Sequence, residues 1–265
     1  VFALEKWADI FRGRDLFLRL DPGAGRGHHD YVKTGGQQSK FGIAAGDLEK
    51  LPALIEKAGA RVVGLHAHAG SGILEPDSWS EVGLFLADAA ERFFPHVTIL
   101  DVGGGLGVPE KPGQAPLDLE RVDAALSKVK TSLKPRATPW QLWMEPGRFL
   151  VARSGALLAR VTQVKQKGTR TGGGVDAGRN AGIRPALYGA YHEIVNLTRL
   201  DEKPGQTATI VGPICESGDV IGHQRRIANA RENDVLLIGT TGAYGRPMSS
   251  RYNLREPPAE RWLKA

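Results

Sequence analysis

Along the first 150 residues, apolar and polar positions repeat one grammar. Four short apolar runs each end in Gly, Pro or a polar residue: DLFLRLDPG (15–23), RVVGLHAHAG (61–70), VTILDVGGG (97–105) and WQLWMEPGR (140–148). Between them the spacing turns helical, in DLEKLPALIEKAGA (47–60), DSWSEVGLFLADAAERFF (77–94) and LDLERVDAALSKVKTSL (117–133). Pro52 falls where a first helical turn tolerates it. Buried strands alternating with amphipathic helices predict βα units on a parallel sheet. After Arg148 the pattern changes. ALLARVTQVKQ (156–166), TATIVGPIC (207–215) and DVLLIGTTG (234–242) read as strands separated by turns and long loops, with a short helix in RPALYGAYHEI (184–194). The expectation is an α/β domain over 1–150 followed by an all-β domain over 151–265.

Composition narrows the function classes. The chain has 265 residues, 41% hydrophobic and 24% charged, as a globular protein does. No apolar run approaches the ~20 residues of a membrane span, and the opening VFALEKWADIF lacks a signal-peptide pattern. The single cysteine, Cys215, excludes an intrachain disulfide and points to a reducing compartment, hence the cytoplasm. The net charge of +6 is scattered. Its densest basic spots, Arg225-Arg226 and Lys165 to Arg170, read as solvated faces and not as a nucleic-acid surface.

Candidate chemistry gathers where strands meet the loops that follow them, the ligand side of a parallel sheet or barrel. In HAHAGSG (66–72) two histidines stand two apart before Gly70-Ser71-Gly72. His68, Ser71, Gly103 to Gly105 and Glu145-Pro146-Gly147-Arg148 are expected to face one cavity. Adjacent glycines let backbone N–H groups approach a phosphate without Cβ obstruction. GGGLG also reads as a tight turn, it is not G-x-G-x-x-G, and the chain has no Walker-type lysine. A metal site fits less well: His66 and His68 can point the same way, but there is one thiol and no H-E-x-x-H. No G-x-S-x-G elbow supports a hydrolase. His28-His29, in a glycine-rich loop, is expected to be exposed.

A second constellation lies in the later half. PICESGD (213–219) places Cys215, Glu216 and Asp219 after an apolar strand, Arg184 and Tyr188 sit in RPALY, and Tyr244 sits in GAYG. Carboxylates raise the pKa of a neighbouring thiol, which suits a proton donor better than a nucleophile; a small core residue is the other reading. Arg184 offers a planar fork to a carboxylate and Glu216 a partner to an ammonium. Together they would read both polar groups of an amino acid.

These residues carry a resemblance. TGGQQSKFGI (34–43), GLHAHAGSG (64–72), LDVGGGLG (100–107), EPGRFLVA (145–152), VDAGRN (175–180), IRPALYGAYHEIVNL (183–197), VGPICESGD (211–219) and GAYGRPMSSRYNLR (242–255) resemble, in order and over nearly the whole chain, the fold-type III pyridoxal-phosphate decarboxylases. Within them the likeness is to the diaminopimelate-decarboxylating family. GSGILEPDSW and VPEKPGQAPLDL look most like the form fused to an upstream aspartate kinase.

The resemblance implies half of a TIM-like (β/α)8 barrel that binds pyridoxal 5'-phosphate, followed by a β-sandwich or β-barrel-like domain. It implies that His68 stacks on the cofactor ring and that Glu145 pairs with the pyridine nitrogen. Ser71, the Gly103, Gly104 and Gly105 backbone and the Gly147 and Arg148 amides hold the phosphate, and Tyr244 reaches the cofactor. Arg148, Arg184 and Tyr188 bind the substrate carboxylate. Cys215 donates a proton and Glu216 reads the distal amine, both across a homodimer interface. The implied substrate is a small-molecule amino acid, meso-2,6-diaminopimelate, which loses CO₂ to give L-lysine, and decarboxylation of another basic amino acid of the ornithine or arginine type is the alternative.

The chain also departs from the family pattern. The cofactor-anchoring lysine of a Y-A-x-K-A-N type motif is absent, and Lys40 is the first other lysine to consider. The four strands are expected to be barrel strands five to eight, so the chain reads as truncated at both ends, as a catalytically silent fragment or homologue when taken alone, and with two open sheet edges. Arg153 stands where an acidic residue is usual and Arg179 where an apolar one is.

Overall fold

The computed structural model describes residues 1–23, 26–27, 39–168 and 170–264; His28-His29 and residues 34–38 of the first motif lie outside them. The chain forms two compact units, Val1–Val108 with Pro116–Gly147, and Pro109–Ala115 with Arg148–Ala265. In chain order the first holds α1 (Phe2–Lys6), α2 (Ala8–Phe11), β1 (Asp15–Arg19), β2 (Arg26–Gly27), α3 (Leu51–Ala58), β3 (Arg61–His66), β4 (Gly70–Ser71), α4 (Ser78–Phe93), β5 (Ile99–Asp101), α5 (Leu119–Ser132) and β6 (Gln141–Trp143). The four apolar runs supply a parallel sheet in the order β1-β3-β5-β6, and the three helical patterns supply α3, α4 and α5 between its strands. The predicted βα grammar is thus the observed one, with a 3-10 turn over Ala45–Lys50 ahead of α3.

Register divides the sheet into two faces. Leu18, Leu65, Leu100 and Leu142 pair in one row, and the first three are buried. α3 and α4 bring Leu51, Ile55, Ala58, Trp79, Val82, Leu86 and Ala90 to the same core. On the other face two rows run in register, Phe17-Gly64-Ile99-Gln141 and Arg19-His66-Asp101-Trp143. Phe17 stacks on Trp143 with ring centroids 5.4 Å apart, and a Cβ on Gly64 would collide with the Phe17 ring. α4 and α5 approach closely at Gly83, where a Cβ would lie 2.9 Å from both Val129 methyls. Asp118 caps α5 by accepting the Arg121 N–H at 3.0 Å, an interaction worth about 1 kcal/mol.

The expected open edges are met in part. Ile43 donates to the Arg19 carbonyl and accepts from the Asp21 amide, so β1 is partly covered; β6 has no outer strand among the described residues.

The second unit contains α6 (Gly147–Val151, its first residue belonging to the first unit), β7 (Leu157–Lys167), β8 (Arg170–Val175), α7 (Arg184–Tyr188), β9 (Ile194–Asn196), β10 (Gln206–Val211), β11 (Val220–Ile227) and β12 (Val235–Ile238). They form a six-stranded mixed sheet in the order β11-β10-β8-β7-β12-β9, in which β8 and β10 are parallel. Val161, Val175, Ile194, Ile210, Ile221, Ile227, Leu236 and Ile238 make its core. The predicted strands are β7, β10 and β12, and the predicted short helix is α7.

Three strands carried no readable signal. β8 is RTGGGV, a glycine run that reads as a turn, yet Gly173 lies against Ile210 where a Cβ would come within 3.2 Å. β11, VIGHQRRI, mixes charges into its apolar pattern, and β9 is three residues long. Among the described residues no helix is long and apolar enough to cross a membrane.

Candidate active site

In the first unit the C-terminal strand ends and the loops after them gather His66, His68, Asp101, Gly103 to Gly105 and Glu145. The glycine loop is fixed mainly by main chain. Gly103 and Gly105 take positive φ values of 72° and 91°, which side chains disfavour. The Gly103 carbonyl accepts the Glu145 amide at 3.0 Å, the Gly104 carbonyl accepts the buried Trp79 indole N–H at 3.0 Å, and the Gly105 carbonyl accepts the Ile73 amide at 2.9 Å. Each glycine is also sterically required. A Cβ on Gly103 would lie 2.6 Å from His68 Nδ1, one on Gly104 would overlap the Glu145 carbonyl oxygen, and one on Gly105 the Gly70 carbonyl oxygen.

The loop in turn sets the state of His68. The Gly104 N–H donates to His68 Nδ1 at 3.0 Å. A backbone N–H can only donate, so Nδ1 accepts and the ring proton sits on Nε2. Burial holds the imidazole below the ordinary histidine pKa, and the nearby Arg19 charge adds to that, against the pull of Glu145. His68 is therefore a neutral, flat ring with fixed orientation. Asp101 accepts the Gly103 N–H at 2.9 Å. Its own burial raises its pKa, and the Gly103 bond works the other way.

Glu145 points outward, its side chain 56% exposed, and its Oε2 lies 3.3 Å from His66 Nε2 without hydrogen-bond alignment. His66, Asp101 and Glu145 each offer a ligand atom within 4.8 Å of the others, a grouping sequence reasoning did not find. Arg19 was also missed; its end-of-strand position in DLFLR was the available signal. Lys40 is exposed, its Nζ 5.2 Å from the centroid of the Phe41 ring that Arg19 also covers.

These groups suit pyridoxal phosphate. A close-packed glycine loop, an oriented neutral ring and an outward carboxylate match an aromatic phosphate ester with a basic ring nitrogen. The amides of Gly103 and Gly104 are already donated to Asp101 and His68, and that of Gly147 to the Glu145 carbonyl at 2.8 Å, so among the described residues Gly105 keeps the loop amide that is not given to another acceptor.

The second unit gathers charge. Arg184 and Tyr188 open and close α7, one helical turn apart on one side. Glu110 Oε1 accepts from Arg148 Nη2 and, at 2.9 Å, from Arg184 Nη2; the side chains are 14%, 5% and 5% exposed. Burial lowers the Arg148 pKa, as does the repulsion of Arg184, and Glu110 opposes both. Arg184 Nη1 lies 3.3 Å from His192 Nε2, and His192 Nδ1 lies 2.9 Å from the Gly239 carbonyl. A guanidinium can only donate, so Nε2 accepts and Nδ1 carries the proton. Burial lowers the His192 pKa, keeping this ring neutral. Tyr244 adopts φ 57° and is about half exposed.

The CESGD turn is tied by Asp219, which is buried and accepts the Ile214 amide at 2.7 Å and the Arg179 amide at 2.6 Å. Cys215 is exposed, not a core residue, and Asn253 Nδ2 lies 3.3 Å from its sulfur. Glu216 pairs with Arg179 and accepts the Tyr252 hydroxyl at 2.5 Å. The unusual Arg179 thus has a partner. Sequence reasoning missed Glu110, His192 and this pairing: Glu110 and the Arg179–Glu216 pair join residues dozens of positions apart, and His192 joins Arg184, eight positions away, to Gly239, 47 away.

A family model described as pyridoxal-dependent decarboxylase, pyridoxal binding domain, matches residues 1–152. The chain is 38% identical to a diaminopimelate decarboxylase of Methanothermobacter thermautotrophicus, over 94% of its own length and 59% of the relative's. It is 37% identical to that of Escherichia coli K12, over 95% and 63%. A crystal structure of diaminopimelate decarboxylase superposes with a TM-score of 0.85 at 36% identity, over 95% of this chain and 62% of that one. The chain therefore spans about three fifths of the length of the proteins it matches. With the cofactor-domain model covering more than half of it, the chain belongs to the pyridoxal-dependent decarboxylase family.

Proposed function

We propose that the protein serves as a pyridoxal-phosphate-dependent decarboxylase converting meso-2,6-diaminopimelate to L-lysine and CO₂. The observation that carries the reading is the strand-end site, where Gly104 fixes a neutral His68 beside the outward Glu145. The diaminopimelate decarboxylases among its relatives support the substrate. Bound pyridoxal phosphate supplies an electron sink for the pair left when CO₂ departs.

The chain's own residues bind and orient. His68 would lie against the cofactor ring, and Glu145 would partner the pyridine nitrogen. Ser71, Gly105 and Arg148 would hold the phosphate as the loop stands, and Gly103, Gly104 and Gly147 would join them on exchanging the acceptors their amides now have; Tyr244 would also contact the cofactor. Arg148, Arg184 and Tyr188 receive a substrate carboxylate. Cys215 returns a proton to carbon, and Glu216 reads the distal ammonium, both acting across a homodimer interface. Residues 1–150 serve as the cofactor domain and 151–265 as the β domain. The lone cysteine supports a cytoplasmic setting.

The test is CO₂ release by the full-length protein, supplied with pyridoxal phosphate, from meso-diaminopimelate, L-ornithine and L-arginine. Fastest release from diaminopimelate is expected. Equal or faster ornithine turnover overturns the substrate reading. Within the same assay, Glu145→Gln should lower kcat by roughly 10²-fold or more, as loss of one preorganised electrostatic group does. A change in KM alone contradicts its role.

A further inference from the structure

Three charges share the buried cluster of the second unit, two guanidinium cations and the Glu110 carboxylate. Both arginines donate to the same oxygen, Oε1. A carboxylate gripped by two guanidinium groups is the arrangement that the proposed function asks of the substrate. Two further features stand out. Among the described residues the buried Arg148 Nε has no hydrogen-bond partner, so the clamp holds an unspent donor. The formal charge of the three groups is +1, so the clamp still attracts an anion while Glu110 occupies it.

The carboxylate is carried on a segment that closes its own turn. Pro109, Pro112 and Pro116 interrupt it, and Gly113 takes φ 78°. Gln114 Oε1 accepts the Glu110 and Lys111 amides at 2.9 and 3.3 Å, and the Gln114 amide donates back to the Lys111 carbonyl at 3.1 Å. Residues 111–116 are exposed and form no helix or strand. The turn keeps these hydrogen bonds for itself, so withdrawing the Glu110 side chain from the arginines need not undo them.

We propose that Glu110 is a built-in occupant of the Arg148–Arg184 clamp, a specificity-determining residue that an incoming carboxylate must displace. This rests on the reading of those arginines as the substrate-carboxylate site. Its consequence is selectivity. A weak or poorly shaped carboxylate fails to compete with an intramolecular one, whereas a substrate anchored at its other groups succeeds, because each ligand must offset the loss of the internal pair.

The test uses glutarate as a simple carboxylate probe, titrated calorimetrically into the full chain with melting temperature followed in parallel. Glu110→Gln keeps the shape and removes the charge. It should bind glutarate at least about tenfold more tightly than the unchanged chain, and glutarate should raise its melting temperature through binding linkage. Adding Arg184→Met to that variant should abolish the gain. Glu110→Asp, one methylene shorter, should fall between. Glutarate binding by Glu110→Gln that is equal or weaker overturns the proposal. So does failure of both Glu110 variants to fold, which would make the residue a structural counter-ion only. If glutarate binding tightens as expected while diaminopimelate yields no CO₂, the decarboxylase reading fails and the occupancy of the clamp stands.

Discussion

In the first unit the strand-end groups are held mainly by main chain. Glycine amides and carbonyls fix His68 and Asp101, and the loop's shape follows from what a Cβ would strike. In the second unit the corresponding order comes from side chains, with Glu110, Arg148, Arg184 and His192 orienting one another while buried. A backbone-built site tolerates no added volume but is indifferent to charge. A side-chain-built site tolerates volume better and depends on every charge having its counterpart. The two sites should therefore fail under different substitutions.

The largest effect is expected where the backbone rule is broken. Gly105→Ala combines a positive φ with a clash against the Gly70 carbonyl, and should destabilise the chain by about 3 kcal/mol or more in urea unfolding. Gly147→Ala is the control. Its Cβ meets nothing within 4 Å, and the change should stay within about 0.5 kcal/mol. Similar losses at both positions would mean that packing at the glycine loop is not the constraint.

On the charge side, Asp234 is the sharper probe because it lies apart from the arginine clamp. One of its oxygens accepts from Asn196 at 2.9 Å, Arg199 at 2.8 Å and the Arg231 amide at 2.9 Å. Burial alone would raise its pKa, but these bonds outweigh burial and lower it. Asp234→Asn should cost about 2–3 kcal/mol, the worth of hydrogen bonds to a buried charge. Because the folded pKa lies below the unfolded one, the stabilisation is full above about pH 4 and is lost as pH falls through the folded value. The variant should show a flatter stability curve in that acid window. An unchanged slope would remove Asp234 from the account.

What could be read in the sequence follows the same division. The four βα strands and their helices were legible because periodicity is local, and the glycine loop because its residues are adjacent. Arg19 and Asp101 were not singled out, since one charged residue at a strand end looks like any other until register aligns it with His66. Glu110 carried no signal at all. Its partners lie 38 and 74 residues away, and no local pattern encodes such a meeting. β8 stayed hidden because its glycines, chosen for close packing against Ile210 and Gln163, mimic a turn.

The smallest effect sharpens the contrast at single protons. Nitrogen NMR should find His68 neutral with its proton on Nε2 and His192 neutral with its proton on Nδ1, opposite tautomers set by a backbone amide and by a guanidinium. Both rings should protonate below ordinary histidines, burial being the main cause. Each unfolded histidine takes its proton first, so stability is present above about pH 6.5 and declines as pH falls towards the folded values. Each contributes a slope of at most about 1.4 kcal/mol per pH unit. Titration of either ring at or above the ordinary value would contradict its assigned environment.

The bond between the Trp79 indole and the Gly104 carbonyl has an optical consequence. Of the chain's five tryptophans, Trp79 is 2% exposed, whereas Trp7, Trp143 and Trp262 are open to water and Trp140 is partly so. The blue-edge fluorescence that iodide fails to quench should therefore come from Trp79. An event that moves the Gly104 carbonyl away from the indole breaks this bond, and if water then reaches the ring the emission should shift to the red. The fold thus contains an unlabelled fluorophore wired to the loop proposed to hold the phosphate, so filling or distortion of that loop can be followed in solution by light alone.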